Sequence, residues 1–225
     1  KLNVKEDTIF WITVKNKKKL ATLNNVSVNQ AYNERLVEKN GKQYNVWSHY
    51  GSKLAAAIIN GLEIFPILKK TKVLYFGDTT EKTVSHISNI VGIDGKVFVV
   101  KDITENPKNF LEKIGNNRTN VFTIIYDKNN LAQFSSTIET VDVIYLDITQ
   151  PNKTEITIDN CKNYLRNGGY LMLVVPTKNI DFAKNPTKEN LEERKRLQSS
   201  FDVIQEINLT DFFKEHSMII AKYLG

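Results

Sequence analysis

Four apolar runs in this chain end on residues that could do chemistry. Lys72 to Phe76 ends at Gly77, Lys96 to Val100 at Lys101-Asp102, Asn120 to Ile125 at Tyr126-Asp127, and Val141 to Leu146 at Asp147. Carboxylates accept paired hydrogen bonds, and glycine lets a ligand approach the backbone closely. Three carboxylates and one glycine at successive run ends therefore suit a nucleotide-like ligand. An aspartate in such a place also serves as a plain turn or cap residue, so the functional reading rests on the shared placement. His49, His86 and His216 are far apart with no ligand spacing, and Cys161 is the single cysteine. Neither an internal disulfide framework nor a metal site is expected.

The apolar runs alternate with amphipathic stretches at roughly 80–91, 105–114, 152–166 and 187–199, and a fifth run, Tyr170 to Val175, follows the third stretch. Near-continuous apolar strands alternating with helices imply an α/β fold, a parallel sheet covered on both faces. In such a sheet ligands bind beyond the carboxyl ends of the strands, where strand order reverses. Phe201 to Ile204 and Ser217 to Ala221 read as a closing antiparallel pair. Upstream, Ser52 caps a helix from Lys53 to Ile59, and Pro66 marks its end or lies just past it. The first fifty residues read differently. Thr8 to Val14 is β-branched and aromatic, Lys15 to Lys19 a basic turn, Val26 to Val28 alternating. Arg35 to Glu38 and Gln43 to Trp47 flank Asn40-Gly41, a hairpin signal. Residues 1–50 are expected to form a small β domain packed on residues 51–225. Trp11 and Trp47 are expected in its core, and His86 in a packing or capping role.

The chain has 225 residues, 41% hydrophobic and 25% charged, with a formal net charge of +6. These are globular values. The surplus favours phosphate-rich partners, which Lys15 to Lys19, Lys69-Lys70 and Arg194 to Arg196 could meet, although each also suits a solvated patch. No apolar run approaches the roughly 18 residues that span a bilayer. Lys1 to Glu6 lacks the apolar core of a signal peptide, so a soluble cytoplasmic protein is expected.

Several strings resemble one family. Gly51-Ser52-Lys53-Leu54-Ala55-Ala56-Ala57-Ile58 is similar to the fibrillarin segment R-S-K-L-A-A-A-I. Thr83 to Gly92 resembles T-V-S-H-V-S-D-I-V-G, and Asp142 to Pro151 resembles D-V-I-F-A-D-V-A-Q-P. Asn167-Gly168-Gly169 and Ile180-Asp181 fall in register. The likeness covers nearly the whole chain, and it is to archaeal fibrillarins, which lack the Gly/Arg-rich tail of eukaryotic relatives. It implies a Rossmann-like S-adenosylmethionine-dependent methyltransferase fold: a seven-stranded, mostly parallel sheet, last strand antiparallel, behind a small N-terminal β domain. It implies RNA ribose 2′-O-methylation and rRNA/tRNA processing within box C/D ribonucleoproteins. The implied partners are a Nop-domain scaffold protein, a guide RNA and a target RNA, in an archaeal cell without a nucleus.

The resemblance also locates the site. The family's cofactor loop, G-A-A-S-G-T-T, reads Gly77-Asp78-Thr79-Thr80-Glu81-Lys82-Thr83 here, so Glu81 replaces its second glycine. The glutamate of V-E-F, which takes the cofactor's ribose, falls at Lys101. Asp102 is adjacent, and a local slip of the strand would be needed to recruit it. Asp127 matches beside the adenine, but Lys128 replaces a small residue. Asp147 and Gln150 match. Of the family's Lys, Asp, Lys, His catalytic set, Lys53, Asp147 and His216 match, while the third position is Pro176. Lys178 is a substitute two residues on, about 6.6 Å along a strand.

Two functions are therefore expected of the chain. In the first it is a fibrillarin with weak or absent S-adenosylmethionine binding, a pseudoenzyme that keeps RNA and protein docking, beside a catalytically competent paralogue. In the alternative it is an active methyltransferase with a rebuilt site, using Asp102 and Lys178.

Overall fold

The computed structural model describes residues 8–25, 35–77, 81–102, 107–126, 138–147, 153–176, 195 and 197–225. Two hairpins open the chain. β1 (Phe10–Val14) turns into β2 (Lys17–Leu23), and β3 (Leu36–Lys39) into β4 (Lys42–Trp47). Both turns have two central residues at positive φ: Lys15 and Asn16, at 47° and 61°, then Asn40 and Gly41, at 53° and 70°. Such turns match the right-handed twist of paired strands. The basic turn expected at 15–19 is thus only two residues long, and Lys17 to Lys19 belong to β2. The strands form one antiparallel sheet, ordered β1-β2-β4-β3. Val26 to Val28 lies outside the described residues.

α1 (Lys53–Ile59) begins as expected, with the Ser52 side chain accepting from the Ala55 amide. It ends at Asn60 and Gly61 (φ 96°), ahead of Pro66. β5 (Lys72–Gly77), α2 (Glu81–Val91), β6 (Lys96–Asp102), β7 (Val121–Tyr126), β8 (Val141–Asp147), α4 (Lys153–Tyr164) and β9 (Leu165–Pro176) follow the expected alternation. The helix expected at 105–114 is instead α3 (Pro107–Phe110) running into one π-turn, Leu111–Gly115. β9 starts earlier than expected. Its register shifts between Val141 and Val143 of β8, and an added Cβ at Gly169 would lie 2.9 Å from the Asp142 carbonyl oxygen. Only glycine permits that approach. The helix expected at 187–199 falls mostly outside the described residues.

β10 (Phe201–Asn208) and β11 (His216–Tyr223) pair antiparallel, as expected. The large sheet runs β10-β11-β9-β8-β5-β6-β7, with β5 to β9 parallel and β11 antiparallel to both neighbours. Alternation sorts the strands' side chains onto two faces. Val73, Tyr75, Val97, Val99, Met172 and Val174 pack with α1, α2 and the π-turn. Leu74, Phe76, Phe98, Val100, Ile144 and Leu146 pack with α4.

The small sheet rests on α2. Trp47 is fully buried and stacks on His86, with ring centroids 4.5 Å apart and planes 13° apart. Its indole N–H donates to Ser52 Oγ at 3.0 Å. His86 therefore packs, as expected. Trp11 does not: it is 48% exposed on the edge strand β1.

Candidate functional site

Strand order reverses between β5 and β8. From β5 the chain proceeds outward to β6 and β7, and from β8 the other way to β9. Gly77 and Asp147 are Cα partners at that reversal. Along the carboxyl edge the neighbours run His216, Pro176, Asp147, Gly77, then Lys101 and Asp102. The topology thus gathers most of the residues singled out by sequence onto one edge.

Lys53 reaches this edge from the first turn of α1. Ser52 Oγ accepts from the Trp47 indole and the Ala55 amide, so its own proton goes to Thr83 Oγ1, 2.9 Å away. Three anchors therefore fix where α1 starts. The Lys53 ammonium donates to Asp147 Oδ1 at 2.6 Å, with only 16% and 7% of the two side chains exposed. It also lies 5.9 Å from the centre of the Phe213 ring. The low local dielectric strengthens this pair and makes either partner costly to leave alone. Thr83, expected among the cofactor contacts, is 2% exposed, and its hydroxyl oxygen accepts from Ser52.

At the end of β6, Lys101 lies on the α2 face with Val97 and Val99. Its ammonium donates to the Gly77 carbonyl at 3.4 Å and stands 5.4 Å from the centre of the Phe110 ring. Lys101 is 9% exposed. The β6–β7 register continues unshifted through Asp102, which pairs with Tyr126. The slip needed to turn Asp102 toward the α2 face is therefore absent, and Asp102 is buried on the opposite face. Glu81 opens α2, where its charge suits the helix dipole, and it accepts from Asn109 Nδ2 at 3.4 Å.

Pro176 ends β9 directly across from His216. His216 Nδ1 lies 2.7 Å from the Lys214 carbonyl. A carbonyl only accepts, so Nδ1 carries the proton and Nε2 is the acceptor in the neutral ring. Asp127, Lys128, Gln150 and Lys178 lie outside the described residues.

Sequence reasoning missed the floor beneath the edge. Tyr75 and Tyr145 stack with centroids 4.9 Å apart, two residues before Gly77 and Asp147. Burial, then the Asp147 carboxylate, then Tyr75 push the Tyr145 phenol well above its ordinary value. An added Cβ at Gly77 would crowd the Tyr75 ring at 3.2 Å. The paired strings Tyr75-Phe76-Gly77 and Tyr145-Leu146-Asp147 carried the signal. Also missed was Phe213, which only the β10–β11 turn brings to Lys53.

The model of the fibrillarin family matches residues 2–225. The chain belongs to the fibrillarin family. It is 40% identical to the fibrillarin-like rRNA/tRNA 2′-O-methyltransferase of Sulfurisphaera tokodaii, over 92% of this chain and 89% of that protein. It superposes on Aeropyrum pernix fibrillarin, solved with natively bound S-adenosyl-L-methionine, with a TM-score of 0.87 and 30% identity. That match covers 95% of this chain and 94% of the other. Fibrillarin from a fibrillarin/Nop5p complex gives a TM-score of 0.77 at 26% identity, covering 97% and 98%. The seven-stranded sheet with its antiparallel last strand is thus the methyltransferase fold of this family. No helix among the described residues is long and apolar enough to cross a membrane, and no group of three or more metal-ligating side chains occurs among them.

Proposed function

We propose that this fibrillarin-family chain is a component of box C/D-type RNA 2′-O-methylation machinery whose own grip on S-adenosylmethionine is weak or absent. The observation that carries the reading is the buried Lys101 ammonium on the Gly77 carbonyl. The resemblance puts a ribose-binding carboxylate at this position. Lysine has three donors and no acceptor. S-adenosylmethionine is itself a sulfonium cation, so a buried ammonium adds repulsion to the missing acceptor. The described residues at the end of β6 therefore do not fit this cofactor. Pro176 removes a further cation from the set. The retained role is RNA and protein docking with a Nop-domain scaffold, a guide RNA and a target RNA, beside a competent paralogue in the cytoplasm. Support for the scaffold partner is the likeness to the fibrillarin of the Nop5p complex.

A second reading has one observation behind it: Lys53 and Asp147 remain paired at the strand-order reversal. An active methyltransferase would use that pair to orient the ribose hydroxyl and hold its proton, with Lys178 as the replacement for the lysine missing at Pro176. Calorimetric titration with S-adenosylmethionine separates the two. A Kd weaker than roughly 100 µM, about −5.5 kcal/mol, supports the first reading, and tighter binding supports the second.

A further inference from the structure

Two residues within four positions of Lys53, and one next to Phe213, carry rings that the site chemistry does not use. The His49 ring contacts both Tyr50 and Phe212, with centroids 4.2 Å and 4.4 Å away and interplanar angles of 41° and 54°. His49 and Phe212 are half-buried, while Tyr50 is 71% exposed. A single exposed aromatic is commonplace. This one is backed by a second ring, which is backed by a third from a distant part of the chain.

The platform is held from both sides. Tyr50 and His49 sit between buried Trp47 and the capping residue Ser52, which are bonded to each other. Phe212 belongs to the β10–β11 turn, which is closed on itself. The amides of Phe212 and Phe213 donate to the Leu209 carbonyl at 2.9 and 2.7 Å. The Leu209 amide donates to the His216 carbonyl at 2.9 Å. The next residue, Phe213, is the ring under Lys53. The start of α1 and the β10–β11 turn, which bring Lys53 and Phe213 together, thus also bring His49 and Phe212 together.

Charge narrows the ligand. Lys214 follows the two phenylalanines and is exposed, and the Lys19 ammonium acts on His49. Of the acidic residues in the turn, Asp211 lines a hollow at the far, carboxyl end of α1, together with Ile59, Asn60 and Gly61. Glu215 is the other. Burial and then Lys19 hold His49 below its ordinary value, so its ring stays neutral near pH 7. An exposed tyrosine ring backed by a neutral imidazole, with lysines close by, favours an unpaired nucleobase, whose π-face stacks regardless of sequence.

We infer that His49, Tyr50 and Phe212 form a stacking platform for an unpaired base of single-stranded RNA entering the cleft at Lys53 and Asp147. The inference rests on the proposed role in RNA methylation machinery only in naming RNA as the ligand. The test is fluorescence anisotropy of a short labelled oligouridylate titrated with the full chain. Tyr50→Ala should weaken binding roughly five- to hundred-fold, the range for loss of one base–aromatic stack. Tyr50→Phe, which keeps the ring, should bind like the parent. The slope of log K against log salt should be the same in all three, because no phosphate contact is lost. Tyr50 is exposed, so its truncation removes no core contact, and a circular-dichroism melt checks that the fold is kept. No binding by the parent, a Tyr50→Ala effect within about twofold, or Tyr50→Phe as weak as Tyr50→Ala would each overturn the platform. Titration with S-adenosylmethionine reads the proposed function separately. Tight cofactor binding with weakened RNA binding in Tyr50→Ala would sink that reading and leave the platform standing.

Discussion

Pro176 stands directly opposite His216 where β9 meets β11. Proline has no N–H for a sheet ladder, and it is tolerated here because it is the last residue of β9. Its ring occupies the position where the family resemblance expects a lysine, next to the expected histidine. Placing an ammonium there should therefore restore part of the site without disturbing the strand. Pro176→Lys is expected to raise methyl incorporation in a particle reconstituted with scaffold protein and guide RNA. Combined with Lys101→Glu, the gain should reach roughly 10²-fold, the scale of one restored catalytic group. Absence of any gain from the double variant would count against the proposed weakening of the site at these two positions.

Lys101 allows the missing acceptor to be separated from the unwanted charge. Lys101→Met removes the ammonium near the Gly77 carbonyl but supplies no acceptor. Lys101→Glu does both. Calorimetry should rank S-adenosylmethionine affinity as parent, then Met, then Glu, with at least about tenfold, or 1.4 kcal/mol, between parent and Glu. Equal affinities across the series would remove Lys101 from the account of weak binding.

The Lys53–Asp147 pair predicts a stability effect independent of catalysis. Asp147→Ala strands the Lys53 ammonium in a site where only 16% of its side chain is exposed. The expected loss in urea denaturation is about 2–3 kcal/mol, at or below the low end for a broken buried pair because Lys53 keeps some solvent. Lys53→Met combined with Asp147→Ala should recover part of that loss, since no charge is then left unpaired.

Cys161 offers a check on the packing of α4. It is fully buried against the α4 face of the sheet, and burial pushes its thiol far above the ordinary range. A thiol that neither ionises nor meets solvent does not react. Ellman's reagent should leave the native chain unlabelled at neutral pH and modify one thiol per chain in denaturant. Rapid native labelling would mean that α4 opens.

The edge of the large sheet was legible because each strand is a short apolar run that ends where its chemistry begins. Gly77, Asp147 and Lys101 are therefore legible in the sequence as strand-end residues. What connects the strands sideways was not legible. The pairing of Pro176 with His216, and of Gly77 with Asp147, depends on strand order, to which local sequence is blind. The exposure of Trp11 was missed for a related reason: an aromatic residue alternates into a strand equally well whether or not a neighbouring element covers it. The same limit hid His49 and Phe212, which meet only because the β10–β11 turn folds back on the start of α1.

His86 makes the seam between the small sheet and α2 sensitive to pH. Its Nδ1 lies 2.7 Å from Thr22 Oγ1, and that oxygen already accepts from Asn89 Nδ2 at 3.1 Å. The Thr22 hydroxyl can both accept from Asn89 and donate to Nδ1, an arrangement that suits a neutral ring. Burial, then Arg118, then Lys82 hold the His86 imidazole well below its ordinary value of 6.5. A histidine whose pKa is depressed by folding takes up protons more readily when unfolded. Its contribution to stability is complete above about pH 6.5 and is lost as pH falls toward the depressed native value. The loss should approach about 1.4 kcal/mol per pH unit for this one group. Half-buried His49, lowered by burial and Lys19, adds a smaller slope of the same sign. Urea denaturation between pH 7 and pH 5 should therefore show falling stability before most carboxylates titrate. His86→Gln should be less stable at pH 7, through loss of the Trp47 stack, yet should flatten most of that slope. A variant that kept the full slope would place the titrating group somewhere other than this seam.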